Sequence, residues 1–139
     1  MEEEYTIPFG RNNYCGPCAL AYILRTDPDA AAAKLREVSG KRAIRGTHHK
    51  YMLEVLTRQD IQYLPLMPYL FKGSRRSTQL ASWVKDRPRD GEFLVVTSNH
   101  YVVIHRGMVY DSYKHLGVPI EKSQWARTFV RGAWWIARD

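Results

Sequence analysis

Residues 12–24 read NNYCGPCALAYIL, two amides followed by a cysteine and then by an apolar run. Pro17 suits the first turn of a helix, where its missing N–H costs no hydrogen bond, so the helix is expected to begin at or next to Cys15. The segment from Leu20 to Leu24 has no polar face, which indicates a helix that is buried on all sides. The sequence therefore predicts a central buried helix with a cysteine at its N-terminus.

The position of Cys15 predicts a reactive thiol. The free N–H groups and the positive dipole end of a helix stabilise an anion at this place. Such surroundings lower the pKa of a thiol from about 8.5 towards neutrality. We therefore expect Cys15 to be a nucleophilic thiolate, and Cys18, one turn further on, to be a small buried apolar residue.

Length and charge restrict the classes of function. The 139 residues contain no linker and no shift in composition, which predicts one domain over residues 1–139. The formal net charge is +7, but basic residues occur only in short pairs such as Arg75-Arg76. This pattern indicates a solvated basic surface and argues against a nucleic-acid partner, while an acidic protein partner stays open.

The N-terminus and the cysteine count indicate the compartment. Glu2-Glu3-Glu4 stand where a signal peptide would carry basic residues. No apolar run approaches the roughly 18 residues that a membrane span requires. The two cysteines lie three positions apart, which is not a disulfide framework of the secreted kind. We expect a cytoplasmic protein with no membrane segment.

The order of elements predicts an α+β fold, with N-terminal helices packed on a C-terminal, mostly antiparallel sheet. Helical patterns follow the cysteine helix at 29–38, at 48–58 after a Thr47 cap, and from Ser77. Strand patterns cover 93–96, 101–104, 108–110 and 129–137. Residues 5–9 are expected to be extended, and 61–70, which two prolines interrupt, to be broken edge structure at best.

One hairpin brings a histidine and a carboxylate into phase. A two-residue turn at 106–107 would place Val102 opposite Asp111. His100 shares a face with Val102, so it becomes a diagonal neighbour of Asp111, with Cα atoms about 7–8 Å apart. His105 points to the other face of this strand. The register therefore predicts an imidazole–carboxylate pair between His100 and Asp111.

Three motifs together resemble the papain-like cysteine peptidase superfamily, and most closely its small bacterial peptidases that cut double-glycine leader peptides. The motifs are Asn-Tyr-Cys-Gly-Pro-Cys-Ala-Leu at 13–20, His-Tyr-Val-Val-Ile at 100–104 and Val-Tyr-Asp at 109–111. The stretch from Ile7 to Leu20 also resembles small tailed-phage proteins. The resemblance implies a papain-like fold and a Cys-His-Asp triad that acts by acyl transfer on an amide bond of a peptide or protein, without a metal or other cofactor.

Carried over by position, Cys15 resembles the nucleophile, His100 the general base and Asp111 the residue that orients the base. These families usually place an oxyanion-hole glutamine six residues before the cysteine, where this chain has Phe9. Asn13 or Asn12 could donate an amide N–H in its place; loss of one such donor typically costs about 10²–10³ in rate.

The same motifs allow three other functions. With the glutamine missing, the same fold could be a catalytically weak or inactive module that binds an acidic host protein. Cys-Gly-Pro-Cys is also the motif of thiol–disulfide oxidoreductases, although those place it after a strand in a βαβ unit. A zinc site is disfavoured, because its two histidines would be adjacent on a helix and adjacent side chains diverge by about 100°. That site would use Cys15, Cys18, His48 and His49.

The tryptophans and two of the histidines are expected to have structural or surface positions. The four tryptophans, Trp83, Trp125, Trp134 and Trp135, are expected to fill the core and interfaces, and a role in a pocket is the less favoured alternative. His105 and His115 are expected at the surface.

Overall fold

The computed structural model of the chain describes residues 15–42, 44, 47–67, 78–97, 100–112 and 117–138. Within these residues the helices are α1 (Cys15–Leu24), α2 (Pro28–Ser39), α3 (His49–Arg58) and α4 (Leu80–Trp83). The strands are β1 (Gln62–Met67), β2 (Glu92–Thr97), β3 (His100–His105), β4 (Met108–Tyr110), β5 (Val118–Pro119) and β6 (Val130–Ala137). They form one sheet in the order β1-β6-β2-β3-β4-β5. Every neighbouring pair is antiparallel, so the predicted α+β class is confirmed.

Helix α1 begins at Cys15, as the sequence predicts, and Gly16 to Ile23 are all buried. The helix packs against α2 on one side and against β3 on the other. Burial on all sides explains why the sequence of α1 has no polar stripe. The same packing brings the N-terminus of α1 to the beginning of β3.

The start of α3 differs from the prediction. Its N-cap is His48, whose Nδ1 accepts a hydrogen bond from the backbone N–H of Lys50 at 3.1 Å. The hydroxyl of Thr47 instead donates to the backbone carbonyl of Ile44. The prediction of a Thr47 cap was therefore wrong, because this side chain bonds within the preceding loop.

The β3–β4 hairpin has the register that the sequence predicts. Its turn residues, Arg106 and Gly107, both have positive φ, 54° and 78°, which the type I′ turn of a tight hairpin requires. The ladder pairs Val103 with Tyr110, Ile104 with Val109 and His105 with Met108. A shift of one residue would have moved Asp111 to the opposite face.

The sheet has a core on each face. One face carries Tyr101, Val103 and Tyr110 and packs against α1, α2 and α3. The opposite face carries alternate residues of the same strands, including Val102 and Ile104, and packs against α4. Since side chains alternate along a strand, the two clusters follow from the two-residue period.

Strand β1 lies at one edge of the sheet and its pairing with β6 shifts between Pro65 and Met67. The expected broken edge is confirmed over 62–67. Two features were not predicted: the short strand β5 and the 3₁₀ turn Ile120–Lys122 that follows it.

A buried carboxylate ties the far end of α1 to the sheet. Glu92 is 3% exposed and lies between Arg25, at 3.2 Å, and Arg138, at 2.6 Å. Close by, the hydroxyl of Tyr22 and Nδ1 of His105 are hydrogen bonded at 2.6 Å. His105 is thus half-buried against α1 and not a surface residue, which corrects the prediction.

Several predictions fall on residues outside the described ranges. They concern the extended segment 5–9, the amides Asn12 and Asn13, the helix start at Ser77 and the surface residue His115. No helix among the described residues is both long enough and apolar enough to cross a bilayer.

Candidate active site

Cys15 is the first residue of α1 and is partly buried. Backbone N–H groups of Tyr101 and of Gly16 lie near its sulfur and favour the thiolate. Tyr101 directly follows His100 at the beginning of β3, and its pairing partner is Val96 on β2. The ladder with β4 begins two residues later, at Val103. The thiol therefore lies where β3 extends beyond β4.

The pKa of the Cys15 thiol differs from the sequence prediction. Burial raises this pKa above its ordinary value of 9.0, and the negative charge of Asp111 raises it further. The backbone N–H groups lower it, but burial is the largest single effect and the pKa stays above its ordinary value. The expectation of a thiolate at neutral pH was therefore wrong, because removal of the sulfur from water outweighs the helix N-terminus. Cys15 is a neutral thiol in the resting protein.

His100 and Asp111 meet as the hairpin register predicts. Nε2 of His100 lies 3.8 Å from Oδ2 of Asp111, close enough for an ion pair and longer than a hydrogen bond. The His100 side chain is 13% exposed and that of Asp111 is 1% exposed. Burial lowers the pKa of His100 below 6.5, while Asp111 partly opposes that shift. The imidazole is therefore neutral at pH 7.

Trp125 completes this cluster, and sequence reasoning missed it. Its indole ring stacks on the imidazole of His100, with centroids 4.4 Å apart and planes at 19°. The indole N–H donates to Oδ2 of Asp111, the same oxygen that faces His100. Trp125 therefore fixes both the plane of the imidazole and the position of the carboxylate. It lies in an irregular segment, where neither helical nor strand periodicity predicts which way a side chain points. The only sequence feature that could have indicated its role is an aromatic residue among mostly polar neighbours.

The backbone at Tyr101 is held from a second direction. The Tyr101 hydroxyl donates to the backbone carbonyl of Thr47 at 2.6 Å. The side chain itself is buried in the cluster that contains α1. These contacts anchor the strand position whose N–H reaches the Cys15 sulfur.

Cys18 has the environment of a structural residue. It is 3% exposed, and burial raises the pKa of its thiol to about 12. A resolving thiol of an oxidoreductase has to be accessible and easily ionised. Cys18 meets neither condition, and the antiparallel sheet is unlike a βαβ unit, so these observations argue against the oxidoreductase interpretation.

The histidines of the zinc interpretation are used otherwise. His48 caps α3, and the ring of His49 stacks on Trp134 with centroids 5.3 Å apart. Among the residues that the structure describes, no three His, Cys, Asp or Glu side chains are grouped as metal ligands.

Comparison with models of known protein families gives no match for this sequence, and neither does comparison with curated protein sequences.

Proposed function

We propose that the chain is a papain-like cysteine peptidase, or a related amide hydrolase, that acts on a peptide or protein. Two observations carry the proposal: Cys15 lies beside the start of β3, and a histidine–carboxylate pair lies at the same end of that strand. The backbone N–H of Tyr101, the residue after His100, favours the Cys15 thiolate, and His100 faces Asp111 at 3.8 Å. A nucleophile, a base and a group behind the base are the parts that covalent acyl transfer requires.

The proposed reaction begins from a neutral thiol and a neutral imidazole. Nε2 of His100 faces Asp111, so Nδ1 is the nitrogen that takes the proton as the Cys15 sulfur attacks the carbonyl carbon. Asp111 stabilises the imidazolium that forms. The backbone N–H of Cys15, with the amide of Asn13 or Asn12, donates to the oxyanion.

The second half of the reaction returns the proton. His100 protonates the leaving amine as the tetrahedral intermediate collapses to a thioester on Cys15. Water then attacks the thioester, with His100 again accepting a proton, and releases the acid and the thiol. Because Cys15 and His100 are both uncharged before the reaction, the proton moves to His100 as the sulfur attacks. His100 therefore acts as a general base during this step.

A digestion experiment tests the proposal. The protein is incubated with a defined peptide mixture that includes double-glycine sequences, and the products are identified by mass spectrometry. We expect cleavage by the wild type and by Cys18→Ala, and no cleavage by Cys15→Ala or His100→Ala. Cys18 is the matched control because it is the second cysteine of the same helix. Cleavage that persists in Cys15→Ala, or no cleavage by the wild type, would contradict the proposal.

One observation favours a second candidate, a catalytically weak module that binds an acidic protein. The pKa of Cys15 is raised, which opposes nucleophilic attack, and the net charge of +7 suits an acidic partner. Salt-sensitive binding of fluorescent polyglutamate that is equal in wild type and Cys15→Ala, together with no peptide cleavage, is the result expected for this candidate. Absence of polyglutamate binding would exclude it.

A further inference from the structure

A cavity lies at the opposite end of β3 from His100. Its volume is about 380 Å³, which is within the size range of ligand pockets, roughly 300–1,000 Å³. The floor is apolar and is formed by Phe93, Ile104 and Ile120 of the α4 side of the sheet. Cys15, His100 and Asp111 do not line it.

The rim of this cavity carries three cations and one carboxylate. Lys85, Arg87 and Arg89 come from the segment after α4, and Glu121 comes from the 3₁₀ turn after β5. None of the three cations forms an ion pair with a carboxylate of the described residues. An excess of positive charge above an apolar floor is complementary to an anion that has an apolar body.

Arg87, at the rim, is held by an aromatic ring. Its guanidinium lies over the ring of Trp83, with Cζ 4.5 Å from the ring centroid. Its Nε is buried and has no hydrogen-bond partner among the described residues.

Arg89 is positioned by the β3–β4 turn. A Cβ atom at Gly107 would lie 2.9 Å from Cζ of Arg89, so the guanidinium rests directly on the glycine backbone. The positive φ of Gly107, 78°, is a second reason for glycine at this turn. The hairpin thus holds the second guanidinium beside the cavity.

We propose that this cavity binds a small organic anion, a carboxylate or a phosphate monoester attached to an apolar body of about one ring. Arg87 and Arg89 hold the head group through charge-assisted hydrogen bonds, to which the planar guanidinium is suited. The body packs on Phe93, Ile104 and Ile120. This site does not depend on the proposed peptidase activity, and its test does not require Cys15.

Titration of the ¹⁵N-labelled full chain tests the proposal, with backbone amide shifts as the readout. The probes are benzoate and phenyl phosphate, with benzylamine, benzyl alcohol and inorganic phosphate as controls. We expect saturable shifts at Phe93, Ile104 and Gly107 with at least one aromatic anion; the tighter of the two identifies the head group. No saturable shift, or equal affinity for benzylamine or for inorganic phosphate, would overturn the proposal.

Three variants locate the binding. Arg87→Gln should weaken it about tenfold or more, because a charged hydrogen-bond donor is lost. Arg127→Gln removes an exposed cation that does not line the cavity and should leave the affinity unchanged. Ala81→Leu keeps all charges but fills part of the cavity, and should also weaken binding. Equal affinities of Arg87→Gln and Arg127→Gln, or unchanged affinity in Ala81→Leu, would overturn the proposal.

Discussion

At the scale of single residues, two opposing effects decide the chemistry of Cys15. The helix N-terminus and the backbone N–H groups favour the thiolate, whereas burial and the carboxylate of Asp111 favour the thiol. Burial is the largest of these effects. The same holds for His100, where burial outweighs the attraction of Asp111. Both partners of the proposed dyad are therefore neutral near pH 7, and the base acts during the reaction and not before it.

The raised pKa of Cys15 can be measured by alkylation. In Cys18→Ala, Cys15 is the remaining thiol of the chain, so the rate of reaction with iodoacetamide reports on it alone. We expect this rate to reach half its maximum above pH 9.0, since burial holds the proton on the sulfur. Free glutathione, alkylated in parallel, is the control for intrinsic thiol reactivity. A midpoint near neutral pH would mean that the helix N-terminus outweighs burial.

The charge of Asp111 affects His100 in a predictable direction. Asp111 raises the pKa of His100 against the effect of burial, so Asp111→Asn should lower that pKa further. The ring proton signal of His100 in an NMR pH titration provides the measurement. Asp29→Asn, which removes an exposed carboxylate at the start of α2, is the matched control and should not change the titration. A pKa that stays constant or rises in Asp111→Asn would contradict the geometry of the pair.

At the scale of secondary-structure elements, the hairpin was predictable and the residue that covers it was not. The Arg106-Gly107 turn and the alternation of apolar residues were sufficient to fix the β3–β4 register. Trp125, by contrast, reaches His100 from an irregular segment, whose path depends on tertiary contacts. The Thr47 cap failed for a similar reason, because the neighbouring loop uses its hydroxyl.

The buried ion pairs of Glu92 hold the C-terminal end of α1, opposite Cys15. Glu92→Gln should lower the free energy of unfolding by about 1–3 kcal/mol, less than the roughly 3–5 kcal/mol of a fully buried pair, because Arg25 and Arg138 keep contact with water. Urea unfolding followed by circular dichroism gives the value.

Glu54→Gln is the matched control for this variant. It breaks the pair with Arg58, in which both side chains are about half exposed. A surface pair of this kind contributes at most about 1 kcal/mol, so the control should unfold almost as the wild type does. Equal losses in the two variants would contradict a structural role for the Glu92 network.

At the scale of the whole molecule, three histidines make stability depend on pH. Burial lowers the pKa values of His49, His100 and His105 below 6.5 in the folded state. The unfolded chain therefore binds protons first as the pH falls, and the folded state loses stability. The contribution of the neutral histidines to the free energy of unfolding is fully present above pH 6.5. It is lost as the pH falls from 6.5 through the pKa values of the folded state.

Urea unfolding at about pH 7.5 and about pH 5.5 measures this dependence. We expect a lower midpoint at the acidic pH. His49→Phe keeps a ring against Trp134 but cannot be protonated, so it should reduce the difference between the two midpoints. A midpoint that rises on acidification would contradict the burial of these histidines.

The overall architecture was largely predictable, because the helices and strands have the periodicities of their burial. The α+β class, the buried cysteine helix and the antiparallel pairing of the hairpin all follow from local pattern. The pKa of Cys15 was not predictable, since it depends on how deeply the tertiary structure buries one sulfur atom. Long-range packing thus determines the chemistry of a residue whose place in the fold is determined locally.

Acylation of Cys15 by p-nitrophenyl acetate tests directly whether Cys15 is a nucleophile that His100 assists as a general base. Mass spectrometry locates the acetyl group, and release of p-nitrophenolate gives the rate at pH 7. We expect a single acetyl group on Cys15, at a rate that is unchanged in Cys18→Ala and about 10²-fold or more lower in His100→Ala, the range of general-base catalysis. Absence of acetyl on Cys15, or an equal rate in His100→Ala, would contradict this mechanism.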